Sequence, residues 1–227
     1  FSLVSLFNFP LEIAAGIILI GSSPSGLASN VMAYLAKANI ALSVTLTAVA
    51  TLVAPIMTPF LMKTLAGSFV PIDFLAMMTS IFKIVIVPVL LGLIFNYFFH
   101  GKAKWLDKAM PIISMAGIGF IIMIITAAGR DDLLSIGLLL ILAAIIHNLL
   151  GYVFGYWGCR IFGMSEQDCR TIAFEVGMQN GGLATGIALE MGKISTVGLA
   201  PAIFGPWMNI SGSSLATWWR DKEPKKK

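Results

Sequence analysis

Apolar runs long enough to cross a bilayer, which takes roughly 20 residues, follow one another along the whole chain, separated by short clusters of charged residues, Gly and Pro. Seven can be marked, at 9–35, 39–65, 74–99, 110–128, 133–157, 166–191 and 194–219. The pattern predicts an all-α, polytopic membrane bundle of about seven spans. The opening FSLVSLF reads as the tail of another apolar segment, so further spans are expected upstream of Phe1.

The interruptions inside the runs are more informative than the runs. In the first, GSSPSG separates LEIAAGIILIG from LASNVMAYLA, and Pro24, with no amide donor, together with Gly26 predicts a helix broken near its middle. In the sixth, FEVGMQNGGLATGIA places Glu175, Gln179 and Asn180 against Gly181 and Gly182, and a second break is expected at 180–182. A broken helix at membrane depth frees backbone amides and carbonyls, which is tolerated only where they are buried in protein or line a polar cavity. The two breaks also echo each other. Gly26-Leu27-Ala28-Ser29 matches Gly182-Leu183-Ala184-Thr185, and the same spacing carries Lys37 onto Lys193. A four-residue match of common residue types means little alone. Matching breaks in spans of opposite direction are the sequence sign of inverted repeats around a transporter's binding site, with two broken helices crossing.

Of the 227 residues 58% are hydrophobic and 11% charged, against about 25% charged in soluble domains, and the mean hydropathy is +0.90. No soluble domain fits. The net charge of +4 is accounted for by topology rather than by nucleic acid, for which nothing speaks. With the C-terminus in the cytosol, eleven basic residues fall inside, among them the loop residues Lys102, Lys104 and Lys108, Arg160, Arg170 and the KEPKKK tail, while Lys63, Arg130 and Lys193 fall outside and Lys83 lies within a span. That asymmetry follows the positive-inside rule. Cys159 and Cys169 flank a loop on the cytosolic side and are read as free thiols.

A carboxylate at mid-membrane costs roughly 2.5–3.5 kcal/mol on insertion scales, so Glu175 is expected to have a paired or bound partner. Ser43, Thr47 and Thr51 repeat at i, i+4 and share one helix face. Carboxylate, amide, hydroxyl and carbonyl oxygens suit a hard cation. The carbonyl ends of the first half-helices would face that cation and the amide ends of the second halves an anionic group. Competing readings stay open. Glu175 could be a protonated packing residue or exchange H⁺, the hydroxyls could bond back to their own helix, Asn209 could make an interhelical hydrogen bond, and His147 with Asn148 is read as an interhelical contact rather than a proton relay. Lys83 is expected to snorkel or to pair across the bundle, Gly151 and Gly155 to form a close-packing face, and Trp218, Trp219 and Arg220 to anchor the last span at the interface.

PSGLASN, followed by Ser43 and Thr47, then EVGMQNGGLA and WMNISGSSLAT, resembles the bile acid:sodium symporter family, in particular its bacterial members, from about Leu11 to the C-terminus. The resemblance implies ten spans in two inverted five-helix repeats, of which this chain resembles the fourth to the tenth, and a division into a core domain (1–66 and 133–220), a panel domain (74–128) and a cytosolic basic tail (221–227). It implies one Na⁺ site from Ser29, Asn30, Ser43, Thr47 and Glu175. A second would use Glu175, Gln179 and the carbonyls of Val176 and Met178, with a glutamine from the third span, outside this chain. Asn180 and Asn209 would face the substrate. Leu27 stands where relatives often have Thr, and Met208 where some have a polar residue, so a bile-acid-like polar contact pattern is not carried to those positions. The implied function is sodium-coupled symport of a small organic anion, such as a bile acid or a pantothenate-like carboxylate, by alternating access. The protein would be integral to the bacterial inner membrane, with its C-terminus cytoplasmic, and a monomer, or a dimer if missing spans expose core surface. Proton coupling is the nearest alternative. An intramembrane serine hydrolase built on His147 is a more distant one, since a serine nucleophile needs a base within reach and that reading leaves Glu175 and the paired breaks unexplained. A passive pore would call for symmetric rings of like groups.

Overall fold

The computed structural model describes residues 1–99 and 104–222. A short α1 (Ser2–Phe7) leads into α2 (Leu11–Gly21) and α3 (Leu27–Leu35), which together make the first broken crossing, and α4 (Ile40–Ala66) returns. After α5 (Phe74–Ile81), a π turn over Phe82–Ile86 and α6 (Val87–Phe99) come α7 (Lys104–Ala128) and α8 (Arg130–Ile161). Then α9 (Glu166–Gly177) and α10 (Gly181–Glu190) make the second broken crossing, and α11 (Leu199–Arg220) ends the described chain. Among the described residues every element is helical, and only a single isolated bridge joins extended backbone. Among the described residues, three helices are by themselves long and apolar enough to cross a bilayer: Ile40–Ala66, Phe74–Phe98 and Arg130–Ile161.

α2 is the centre of the packing. Every residue from Ile13 to Ile20 is buried, so this helix is apolar all round, as expected of one enclosed by others. It packs on α4, α10 and α11. By contrast α6 and α7 turn large apolar side chains outward, with Leu91 60% and Ile112 64% exposed.

Several boundaries differ from the sequence reading for local reasons. Arg130, Asp131 and Asp132, which lie between the runs marked at 110–128 and 133–157, form the first turn of α8, where two carboxylates favour the amide end of the helix. α11 begins at Leu199 because 194–198 is a turn. Lys104 and Lys108 belong to α7 rather than to a loop; His100, Lys102 and the tail from Glu223 to Lys227 lie outside the described residues. α4 runs unbroken through Pro55 and Pro59. The π turn precedes Pro88, whose ring crowds the carbonyl four residues back. There the Val87 amide donates to Phe82 five residues back.

Two residues assigned to the membrane surface are internal. Arg170 is 2% exposed and donates to the carbonyls of Ala36 and Trp219, the last turns of α3 and α11, and to Glu166. Its positive charge thus serves two helix C-termini at once. Trp219 is buried against Tyr156 and Phe174, which leaves Trp218 as the exposed ring. Lys193, expected at the outer surface, pairs with Glu12 in the first turn of α2. The Lys37–Lys193 echo is displaced by one residue in space: Lys37 takes the left-handed position after α3, whereas Gly192 takes it after α10.

Candidate functional site

The two breaks arise from different local chemistry. α2 stops at Gly21 because Pro24 offers no amide and biases Ser23 away from helix, while the Ser23 hydroxyl satisfies the Leu19 carbonyl at 2.8 Å. α9 stops at Gly177, Met178 is extended, and the Asn180 side chain accepts from the Leu183 amide at 3.0 Å, capping a new helix. The second break therefore covers 178–180 and not 180–182, because Asn180 starts α10 and Gly181 and Gly182 are its first turn.

The breaks cross each other and pair. The Gly26 amide donates to the Met178 carbonyl at 3.1 Å, the Asn180 amide to the Pro24 carbonyl at 2.7 Å, and Ser25 and Gln179 form an antiparallel bridge. Each break thus satisfies backbone groups that the other frees, as a low-dielectric interior requires. The approach is close at Gly26, where a Cβ would stand 3.3 Å from the Asn180 Cα.

Glu175, in the last turn of α9, lies beside the crossing. Its Oε1 accepts from Ser29 at 2.7 Å and Ser43 at 2.6 Å, and its Oε2 from Ser25 at 2.7 Å and Thr47 at 2.9 Å. Ser43 and Thr47 also lie 2.7 and 3.1 Å from Asn30 Oδ1. Ser29 and Ser43 are fully buried. Six side chains from the first break, α3, α4 and α9 thus gather seven oxygens around one carboxylate. A monovalent cation would find here the hard oxygen set it prefers, with one formal negative charge to balance it. Ser29, Asn30, Ser43, Thr47 and Glu175 all come together. Thr51 is not among these oxygens. Ser25 is, although the sequence reading missed it: it lies in the break, where helical spacing gives no face.

The second expected group is less assembled. Gln179 donates through Nε2 to the Val176 carbonyl at 2.6 Å, and the Met178 carbonyl is taken by Gly26. The Gln179 Oε1 is buried without a hydrogen-bond partner, as is Nε2 of the neighbouring His147. His147 packs on Phe204 at 5.6 Å and against Gly21. No serine hydroxyl bonds to it among the described residues: Ser25 serves Glu175 and Ser211 serves Asn148. The serine-hydrolase alternative thus lacks its Ser–His pair there.

A buried polar junction stands behind the second break, where Asn148 makes the interhelical contact expected of it. Asn148 is fully buried; its Nδ2 donates to the Gly177 carbonyl at 2.8 Å and its Oδ1 accepts from Ser211 at 2.5 Å, while the Tyr152 hydroxyl lies 3.2 Å from that Ser211 oxygen. It joins α8 and α11 to the end of α9. Gly151 and Gly155 sit at the same contact, where Cβ atoms would stand 2.8 Å from Gly177 Cα and 2.7 Å from the Ile172 carbonyl oxygen.

In front of the crossing is a cavity of about 460 Å³ onto which the amide ends of α3 and α10 open. Leu27, Asn180, Met208 and Asn209 all line it, with Gln179 and Thr185 among its few other polar residues and Ile118 and Ile121 of α7 on its wall. A pocket of this size with an apolar lining and a few polar groups suits a small amphipathic molecule.

The model of the Sodium Bile acid symporter family matches residues 1–136. The chain is 41% identical over its full length to a sodium-dependent transporter of Bacillus subtilis, YocS, described as uncharacterized, and spans 70% of that protein. It is 35% identical over 99% of its length to the probable chloroplastic sodium/metabolite cotransporter BASS1 of Arabidopsis thaliana, and 34% identical over its full length to the BASS1 of Oryza sativa subsp. japonica. It spans 56% of each of those two plant relatives.

Proposed function

Because the chain belongs to the sodium bile acid symporter family, we propose that it is the larger part of a sodium-coupled secondary transporter whose coupling ion binds at Glu175. The observation that carries this reading is the Glu175 carboxylate, which accepts four hydroxyl hydrogen bonds at 2.6–2.9 Å beside the crossing of two broken helices. When Na⁺ enters, the hydroxyls of Ser25, Ser29, Ser43 and Thr47 rotate their lone pairs toward it, and Asn30 and Glu175 supply the amide and carboxylate oxygens. Glu175 also lies next to Val176, Met178 and Gln179, the start of a second Na⁺ site that a residue outside this chain would complete.

A small organic anion, a bile acid or a pantothenate-like carboxylate, occupies the cavity between α7 and the crossing. Its acidic group is drawn to the amide ends of α3 and α10, with Asn180 and Asn209 as donors and Leu27 and Met208 as apolar contacts. Residues 1–66 and 133–220 act as the moving core and 74–128 as the panel, related to the core by alternating access across seven crossings in inverted repeats. The protein lies in a bacterial inner membrane with its C-terminus cytoplasmic, a sidedness that the positive-inside count supports. The test is uptake of labelled candidate anions into proteoliposomes that hold the full-length protein. Accumulation is expected only with an inward Na⁺ gradient. Uptake driven equally well by a pH gradient without Na⁺ would replace the coupling ion by H⁺, and uptake with neither gradient would overturn symport.

A further inference from the structure

The hairpin between α8 and α9 gathers a second set of ligand atoms, and none of them is oxygen. Cys159 is in the last turn of α8, Met164 in the connecting turn and Cys169 near the start of α9, evenly spaced five residues apart. The Cys159 Sγ donates to the Met164 Sδ at 3.3 Å and the Cys169 Sγ lies 3.8 Å from the Met164 carbonyl, so both thiols bear on the same residue. Cys169 is fully buried and Cys159 is 4% exposed, while Met164 is half-buried and reaches the surface.

The backbone that builds this triad does not depend on the sulfurs. Gly163 adopts φ +72°, which folds the turn back so that the Met164 amide reaches the Cys159 carbonyl at 3.4 Å. Ser165 caps α9 through the Asp168 amide at 3.1 Å, and the Cys169 amide returns to the Ser165 carbonyl at 2.9 Å. Glu166 ties down both flanks, with Arg170 at 3.1 Å and Arg160 at 3.8 Å. Three soft donors are therefore held close together before any ligand arrives, behind a thioether that can swing aside as an entry path.

We propose that Cys159, Met164 and Cys169 form a three-sulfur binding site for a soft monovalent cation of the copper(I) or silver(I) class. Thiolate and thioether ligands select such ions over hard ones. Zn²⁺ would need a fourth ligand in a tetrahedron, and no cluster of three or more His, Cys, Asp or Glu residues able to supply it occurs among the described residues. At each cysteine the S–H bond breaks, an S–metal bond forms and the proton leaves to water, since the thiolate and not the thiol is the metal ligand. The thioether completes the coordination as a neutral donor. The cation would bridge α8 to α9, the helix that carries Glu175 at its other end.

The test uses the purified full-length protein in detergent, reduced beforehand with the Cys159 and Cys169 thiols confirmed free, and titrated with Ag⁺ in chloride-free buffer under exclusion of oxygen. One Ag⁺ bound tightly through these residues is expected, with release of two protons. Cys159→Ser and Cys169→Ser should each weaken binding by at least about 100-fold, and Met164→Leu by about 10-fold. Met164→Leu keeps the fold because the side chain is partly exposed and similar in size. Binding that survives Met164→Leu unchanged shows a plain dithiol and overturns the triad. The absence of stoichiometric binding to the native protein overturns the site. Neither result bears on sodium coupling.

Discussion

The two helix breaks meet at one crossing and do opposite jobs. The first, from Ser22 to Gly26, carries no charge; it and the turn that follows supply hydroxyls and an amide, Ser25, Ser29 and Asn30. The second supplies the only carboxylate, Glu175, and a rigid mount behind it in Asn148 and Ser211. Their backbones pair almost as two strands would, yet one brings neutral ligands and the other the charge. A site divided this way exists only while the breaks are crossed. In the proposed transporter, cation occupancy and the spacing of the two breaks would thus be linked, and the same spacing sets the amide ends of α3 and α10 at the cavity.

The sharpest way to break the comparison is to remove the charge from the second break while keeping its shape. Glu175→Gln keeps the size but puts an amide where a carboxylate accepted four hydroxyls. Hydrogen bonds to charged groups contribute about 1.5–3 kcal/mol each, so the loss in Na⁺ affinity should exceed about 100-fold. Sodium-driven uptake should vanish, while the protein still elutes as a folded species on size exclusion. Gradient-driven uptake of near-native rate by this variant would remove Glu175 from the mechanism.

Much of this division was legible in the sequence because charge and helix-breaking residues are rare inside apolar runs. Glu175, Pro24 and the hydroxyl face of Ser43 and Thr47 stood out against such a background. Ser25 did not, because it belongs to no helix face and only the tertiary crossing turns it toward Glu175. For Asn148 an interhelical contact was expected but not its partner: the fold sends it and His147 to different places, His147 to Phe204 and Asn148 to the Gly177 carbonyl. The position of the second break was misjudged by two residues because Gly181 and Gly182 read as helix stoppers, while the capping amide of Asn180 makes them a helix start. The buried roles of Arg170 and Trp219 could not be read from residue type, which favours the membrane surface for both.

A smaller effect is expected from loosening the mount of the second break without touching a ligand. A Cβ on Gly151 would stand 2.8 Å from Gly177 Cα and 3.0 Å from the Val176 carbonyl oxygen, both backbone atoms that cannot swing aside. Gly151→Ala should push α8 from α9 at a cost of about 1–3 kcal/mol and lower the melting temperature in detergent. Because the displaced atoms belong to the residues after Glu175, the variant's half-saturating Na⁺ concentration should rise together with its loss of stability. Gly158→Ala, on the same helix with nothing within 4 Å of the added Cβ, is the control and should change neither quantity. If both variants behave alike, close packing of α8 on α9 does not set the cation site.

The smallest effect tests the first break alone. Ser25→Ala removes one of the four donors to Glu175 and nothing else that the crossing needs, since the backbone bonds of Pro24 and Gly26 stay in place. One hydrogen bond of this kind to a carboxylate corresponds to about 1.5 kcal/mol, or roughly a tenfold rise in the half-saturating Na⁺ concentration. Maximal uptake at saturating Na⁺ should be unchanged, because neither the charge nor the spacing of the breaks is altered. Ser25→Thr restores the hydroxyl and should recover most of the affinity. If Ser25→Ala instead lowers maximal uptake and leaves the Na⁺ dependence alone, the Ser25 hydroxyl shapes the crossing rather than the cation site, and the division between neutral ligands from one break and charge from the other fails at that residue.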